Sequence, residues 1–403
     1  MSDEASYDEA FYEAIPDEAA YDAFLGAVKV GDLQEIKGLH QYVFLKRMRE
    51  PPKEAILVYE AALAGHLECV KYMHENRCPW DEDTCYAAAK GGHLECVKYL
   101  HENGCPWDEE TCEAAASDGH LECLKYAHEN GCPWDEGAWG AAAGGGHLKC
   151  LKYAHENGCP WDEETCRAAA QGGQLECLKY LHENGCAWDE DTCEAAAEFG
   201  NLECLKYAFE NGCPCDEETC DAAAFGGHLE CFKYLHENGA TWDENTCTCA
   251  AAGGHLECLK YLHEDGCPWD EWTCARAARC GQLECLKYLH ENGCPWDGIT
   301  CEAAARGGHL ECLKYAHENG CPLNIDQILH ELPVYGMDRL GVWFGRHRSI
   351  EAYLKACTKS PIKCPFESAM AVLDEAKNAL KDGDYKTIAD ALMLAHRAKR
   401  WRR

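Results

Sequence analysis

Positive charge is scarce in this 403-residue chain: 37 Lys and Arg stand against 71 Asp and Glu, for a formal net charge of −34. So acidic a surface repels phosphate backbones and anionic headgroups, which sets aside nucleic acid and membrane surfaces as expected partners. Long apolar runs are lacking too, and none approaches the ~20 residues that span a bilayer. The first 24 residues hold eight acids and no Lys or Arg, without the basic start and apolar core of a secretory signal. The expected compartment is therefore the cytoplasm, with the nucleus as the alternative, where thiols stay reduced. That matters because the chain carries 32 cysteines, yet no Cys-x2-Cys pair.

What is present is a period. HLECVKYLHENGCPWDEETC begins at His93, and close copies begin at His66, His120, His147, Gln174, Asn201, His228, His255, Gln282 and His309, each 27 residues after the last. A fixed period of this length marks an array in which each unit packs on its neighbours, so chain length does not count domains.

The unit from Trp80 to Cys105 reads as two helices. Asp81 is placed as an N-cap, with Glu82 and Asp83 in the first turn where the helix dipole favours acids. Gly91 and Gly92 stop the first helix, whose packing side is mostly alanine. A second helix runs from near His93 to Asn103, with Leu94, Val97 and Leu100 at helical spacing and Glu95 and Lys98 placed for a surface pair. Gly104 suits the left-handed position after it, and Pro106 prevents continuation. Helices this short are marginal alone, so neighbours must stabilise them, and the small alanines allow those neighbours to approach closely. The expected fold class is all-α: a right-handed-type α-solenoid of about ten stacked helix-turn-helix units with degenerate helical caps. At about 10 Å per unit the stack would run to the order of 100 Å.

The segment AAAKGGHLECVKYLHENGC, residues 87–105, resembles the core of an ankyrin repeat: alanines closing the first helix, a Gly-Gly-His turn, a Leu-Glu start to the second helix and a terminal Asn-Gly. It departs from the usual 33-residue unit by lacking the Thr-Pro-Leu-His start and about six residues where the β-hairpin finger would be. It is similar to the short, hairpinless ankyrin type of protists and large DNA viruses, over about residues 65–335. The resemblance implies that the turn histidine bonds backbone in the adjoining loop, a role that Gln or Asn amides can imitate. It also implies a concave face, built on the first helices, that binds a protein partner.

Three cysteine columns recur, represented by Cys85 in the first helix, Cys96 in the second and Cys105 after the closing glycine. The leading reading is that they pack as small buried hydrophobes, as the ankyrin framework implies. Zinc would need four converging ligands at tight spacing, and the substitutions Gln174, Asn201, Gln282, Phe209, Trp139 and Ala240 interrupt the histidine and cysteine columns without pattern. No metal or other cofactor is assigned. A cysteine-rich metal-binding or redox-responsive repeat protein remains the alternative reading. Trp80, Trp107, Trp134, Trp161, Trp188, Trp242, Trp269 and Trp296 precede the first helices and are expected to stack as a hydrophobic ladder, the alternative being an exposed aromatic row for a ligand.

Columns that vary against this fixed framework are where one copy differs from the next. They supply the candidate partner-binding residues Tyr86, Lys90, Glu113, Ser117, Arg167, Gln171, Glu198, Phe199, Asp221, Phe225, Arg279 and Arg306, with the aromatics and arginines as preferred anchors. The alternative is that these positions are exposed and free to drift. No nucleophile–base pair, phosphate loop or carboxylate dyad departs from the repeat template, so the expectation is a non-enzyme: a scaffold or adaptor, monomeric, for a protein partner of basic or mixed surface.

The segments read as an acidic stretch over 1–20, for which disorder is one reading; a degenerate capping repeat over 21–64; the array over 65–334; and a helical C-terminal cap with a basic tail over 335–403. Within that cap, helices are expected over 346–356 and 366–380. The tail HRAKRWRR reads as a frayed solvated end or as a nuclear address or anion contact.

Overall fold

The computed structural model describes residues 17–46, 52–135, 137–159, 161–331 and 342–359. Among them are 24 helices and no strand. The chain divides into two compact units between Thr192 and Cys193, each described here by itself.

In the unit that ends at Thr192, helices Asp17–Val30 and Leu33–Lys46 form a first pair. They meet at Gly31, whose φ of +74° turns the chain, and at Asp32, whose Oδ1 accepts from the backbone N–H of Gln34 and Glu35 at 3.1 and 3.0 Å. Helix Pro52–Leu63 packs on Glu82–Lys90, that on Glu109–Ser117, then Gly137–Gly144, then Glu163–Gln171. These are the first helices of successive repeats. The second helices, Leu67–Glu75, Leu94–Glu102, Leu121–Glu129, Leu148–Glu156 and Leu175–Glu183, lie against them and meet one another less closely. Side-chain size explains the difference. Ala87, Ala88 and Ala89 are fully buried between first helices, whereas second helices present Tyr, His and Leu to one another.

The unit from Cys193 repeats the arrangement. First helices Glu217–Gly226, Glu244–Gly253, Glu271–Arg279 and Gly298–Arg306 pack in series, with second helices Leu202–Glu210, Leu229–Glu237, Leu256–Glu264, Leu283–Glu291 and Leu310–Glu318 beside them. Ile325–Glu331 starts like another first helix. Helix Val342–Lys359 then covers the open end, packing on Ile325–Glu331, Gly298–Arg306 and Leu310–Glu318 and burying Ile350 and Leu354 completely. It contains the helix expected over 346–356. The helix expected over 366–380 and the basic tail lie outside the described residues.

Local geometry follows the sequence closely. Asp162, Asp216 and Asp270 cap their helices by accepting from the backbone N–H of Thr165, Thr219 and Thr273. Lys98 bonds Glu95 at 2.8 Å, and each unit but one between Lys71 and Lys314 repeats that exposed pair. Leu100, Leu181 and Leu235 are completely buried, each such burial contributing about 1.5–3 kcal/mol.

Candidate partner-binding face

The first-helix columns separate into two kinds once placed in space. The residue after the first-helix cysteine points toward the next repeat and is mostly half-buried. Asp221 shows what it does there: Thr246 Oγ1 donates to its carboxylate at 2.6 Å and Asn245 Nδ2 donates to the other oxygen. Burial raises the Asp221 pKa above the ordinary carboxylate range, and those two donors work against the rise. Thr248 and Thr273 hydroxyls meet at 3.0 Å in the same register, and Gln327 Nε2 donates to Glu302 at 3.4 Å two repeats further on. Glu113 is half-buried too, its pKa raised first by burial and then by Asp135 and Glu110. Arg167 is tied to Glu164 at 2.7 Å, and Tyr86 Oη accepts from Lys90 Nζ at 3.3 Å. Asp221, Thr248 and Glu302 thus join repeats, whereas Arg167 and Tyr86 bond within their own helices.

The residue after the alanines faces outward. Lys90, Gln171, Glu198, Phe225, Arg279 and Arg306 are exposed, and Ser117 is half-buried. Phe225 is 49% exposed and Phe199, at the following position, 48%. In most copies the residue at the position of Phe199 is glycine, as at Gly226, where a Cβ would run into the Glu198 carbonyl.

One further column escaped the sequence reading. It lies in the first turn, where Asp83, Glu110, Glu164, Asp191 and Glu218 are acidic, but it turns apolar at Trp272 and Ile299, 54% and 36% exposed on packed neighbouring helices. The signal was available: two large apolar residues interrupt an acidic column at positions with no core to fill.

Histidines and cysteines make bonds and contacts within the scaffold. His93 Nε2 is hydrogen-bonded to the Leu63 carbonyl at 3.1 Å, and His66 to Lys29 likewise; where Gln282 replaces histidine, its Nε2 donates to the Ala252 carbonyl at 3.2 Å. The amide does imitate the ring. The tryptophans differ from the continuous ladder expected of them. The half-buried indoles meet the histidine that ends the second helix just before them, as in His101–Trp107, His128–Trp134 and His290–Trp296, with centroids 3.7–3.9 Å apart. The same imidazole meets a tyrosine of the next repeat through Nδ1, as with His101 and Tyr126 at 3.1 Å. The stack is therefore a relay of His, Trp and Tyr, because the histidine reaches the loop before another indole can.

Cysteines of all three columns are buried. Burial pushes the second-helix thiols Cys96 and Cys123 up to about 11, which leaves them protonated and inert at neutral pH. The other two columns meet: the thiols of Cys85 and Cys105, Cys112 and Cys132, Cys166 and Cys186, Cys247 and Cys267, Cys274 and Cys294, and Cys301 and Cys321 lie within hydrogen-bonding reach. Most of the later members also donate to the carbonyl of the N-cap aspartate, Cys105 to Asp81 at 3.2 Å and Cys321 to Asp297 at 2.8 Å. Among the described residues, three metal-ligating atoms within 4.8 Å of one another occur only at the carboxylates of Glu194, Asp216 and Glu218. No cysteine or histidine of the described residues joins such a group.

Stacked two-helix repeats with buried alanine seams define the class: an α-helical repeat protein. The particular family follows from a match to the family model for ankyrin repeats (3 copies) over residues 57–132, 165–245, 193–271 and 220–297. These matches span more than half of the chain, which belongs to the ankyrin repeat family. No curated protein matches it. Among solved structures, the crystal structure of the human ASB11 ankyrin repeat domain is similar at 21% identity and a TM-score of 0.35, over 39% of this chain and 84% of that one. No helix among the described residues is long and apolar enough to cross a membrane.

Proposed function

We propose that the chain is a non-catalytic scaffold or adaptor that holds a protein partner on the first-helix face of its ankyrin array. Ankyrin repeats generally mediate protein–protein interaction, which gives the coarse reading. The observation that carries the finer one is the set of exposed large side chains on that face, Phe199, Phe225, Trp272 and Ile299, accompanied by the exposed Arg279 and Arg306. Aromatic and Arg side chains dominate interface energetics because they bury large areas at low entropic cost. The fitting partner presents apolar pockets for the aromatics and acidic groups toward Arg276, Arg279 and Arg306. Basic groups would match the acidic first turns elsewhere.

The test is affinity capture with the full chain, crosslinked before lysis and compared with Phe225→Ala, Trp272→Ala and Arg279→Ala. Each variant is expected to weaken recovery of a shared partner by about tenfold, the factor that ~1.4 kcal/mol represents. Undiminished recovery with all three would sink the assignment of this face.

A further inference from the structure

One repeat breaks two columns at once. Where eight other copies carry tryptophan before the first helix, this one carries Cys215, and where the histidine that receives that indole should stand, it carries Phe209. The His–Trp stack is thereby removed as a pair, and Phe209 keeps only the edge contact with Tyr234, at 5.9 Å between centroids. The indole's place in the column is taken by a thiol. Cys215 reaches Cys193, which also meets Cys213, so the central sulfur of Cys193 has a thiol neighbour on either side.

The three differ in access. Cys193 is completely buried and Cys213 is 5% exposed, whereas Cys215 is only half-buried. Cys215 stands directly before Asp216, the N-cap of helix Glu217–Gly226, so the positive end of the helix dipole lies behind it. Hydrogen bonds from the Cys193 thiol and then the Thr219 hydroxyl hold the Cys215 thiol below the ordinary cysteine range, against burial and the neighbouring Asp216 carboxylate. Cys193 is driven the other way, by its bonds to Cys213 and Cys215 and by burial. A partly accessible thiol held below the ordinary cysteine range, beside a buried thiol, is the arrangement of a cysteine that reacts and one that resolves it.

We propose that Cys215, Cys193 and Cys213 form a hydroperoxide-oxidised thiol relay, entered at Cys215 and ending in a buried disulfide. In the first step the Cys215 thiolate attacks one peroxide oxygen; the S–O bond forms as the O–O bond breaks, and the other oxygen leaves as hydroxide or alkoxide and is protonated. Sulfur is oxidised and peroxide reduced. In the second step Cys193 attacks the Cys215 sulfenic acid; the S–S bond forms, the S–O bond breaks, and the hydroxyl leaves as water with the proton of Cys193. Cys213 then attacks the Cys193 sulfur, which transfers the disulfide to Cys193–Cys213 and returns Cys215 as a thiol. The product joins helix Glu190–Glu198 to the loop that enters helix Glu217–Gly226.

The experiment uses the full chain, fully reduced, given one equivalent of hydrogen peroxide, quenched by alkylation at intervals and mapped by mass spectrometry. Cys280, exposed at the end of helix Glu271–Arg279, is the internal reference. Cys215 is expected to lose its reactivity at least about tenfold faster than Cys280, with two hydrogens lost from the peptides that contain Cys193 and Cys213–Cys215. Cys193→Ala should halt the reaction at a sulfenic acid that dimedone traps on Cys215. Cys213→Ala, a substitution the repeat at Ala240 already carries, should leave a Cys193–Cys215 link. Cys215→Trp with Phe209→His restores the usual stack and should abolish the fast phase. The proposal is overturned if Cys280 oxidises as fast as Cys215 in the unaltered chain, or if the linked product forms without Cys193. The first of these outcomes needs no variant to fold.

Discussion

The imidazole of His101 lies face to face on the indole of Trp107, centroids 3.9 Å apart and planes 11° from parallel. The ring that covers the loop of its own repeat also reaches Tyr126 of the next, so one side chain joins what the absent hairpin would otherwise have joined. Tyr126→Phe removes that hydrogen bond while keeping the aromatic ring, and should destabilise the chain by about 1 kcal/mol. Tyr234 provides the control. It faces Phe209 edge-on, so Tyr234→Phe should change the urea midpoint little. Equal losses in the two variants would show that the His–Tyr bond contributes nothing.

Acid should weaken the C-terminal end of the array. Burial holds His290 and His317 below the ordinary histidine range, with Glu291 and Glu318 pulling weakly the other way. A depressed folded pKa means that folding favours the neutral ring. The corresponding stability is fully present above the unfolded value of ~6.5 and is lost as pH falls through the depressed folded values. Denaturation midpoints at about pH 7.5 and 5.5 should differ less in His317→Phe than in the unaltered chain. An unchanged difference would assign the acid response to other groups.

Arg77 has φ of +65°, at the position filled by glycine in the other repeats, as at Gly104. A side chain in the left-handed region costs about 1–2 kcal/mol, partly offset by the freedom that glycine loses on folding. Arg77→Gly should therefore raise stability by about 0.5–1 kcal/mol in a urea titration.

Two glycines with similar backbone angles should respond unequally to alanine. Gly104, φ +81°, has open space where a Cβ would stand, so Gly104→Ala meets only the backbone strain, about 1 kcal/mol. Gly65, φ +76°, would place its Cβ against the ring of His93, which holds the Leu63 carbonyl. Gly65→Ala must also displace that ring and break its bond, for a total of about 2–3 kcal/mol. Similar losses at the two sites would mean that the histidine turn yields freely.

Much of the fold was legible because each repeat states its local rules ten times. Asp before an acidic turn, Gly-Gly before His and Asn-Gly after the second helix all act over a few residues, and they hold as expected at Asp162, Gly92 and Gly104. What stayed hidden is contact between distant residues. Cys105 is seven residues from Cys112 in sequence, yet its thiol meets Cys85, because the second helix folds back over the first. The indoles likewise meet imidazoles rather than one another. The candidate face was half legible: variation singled out Phe225 and Arg279, but it could not separate them from Asp221, whose variability serves the bond to Thr246. Trp272 was missed because the first turn was read in one unit, where Asp83 stands at its position.

Two of the bonds between repeats span different lengths of chain. The His93 ring reaches back 30 residues to Leu63, and His101 reaches forward 25 to Tyr126. One stretch is longer than the 27-residue period and the other shorter, so each joint crosses from one repeat to the next. Gain or loss of a whole repeat keeps both joints matched. The chain can change length in steps of 27 residues, and its stock of surface variation can grow by copying without any change to the joints.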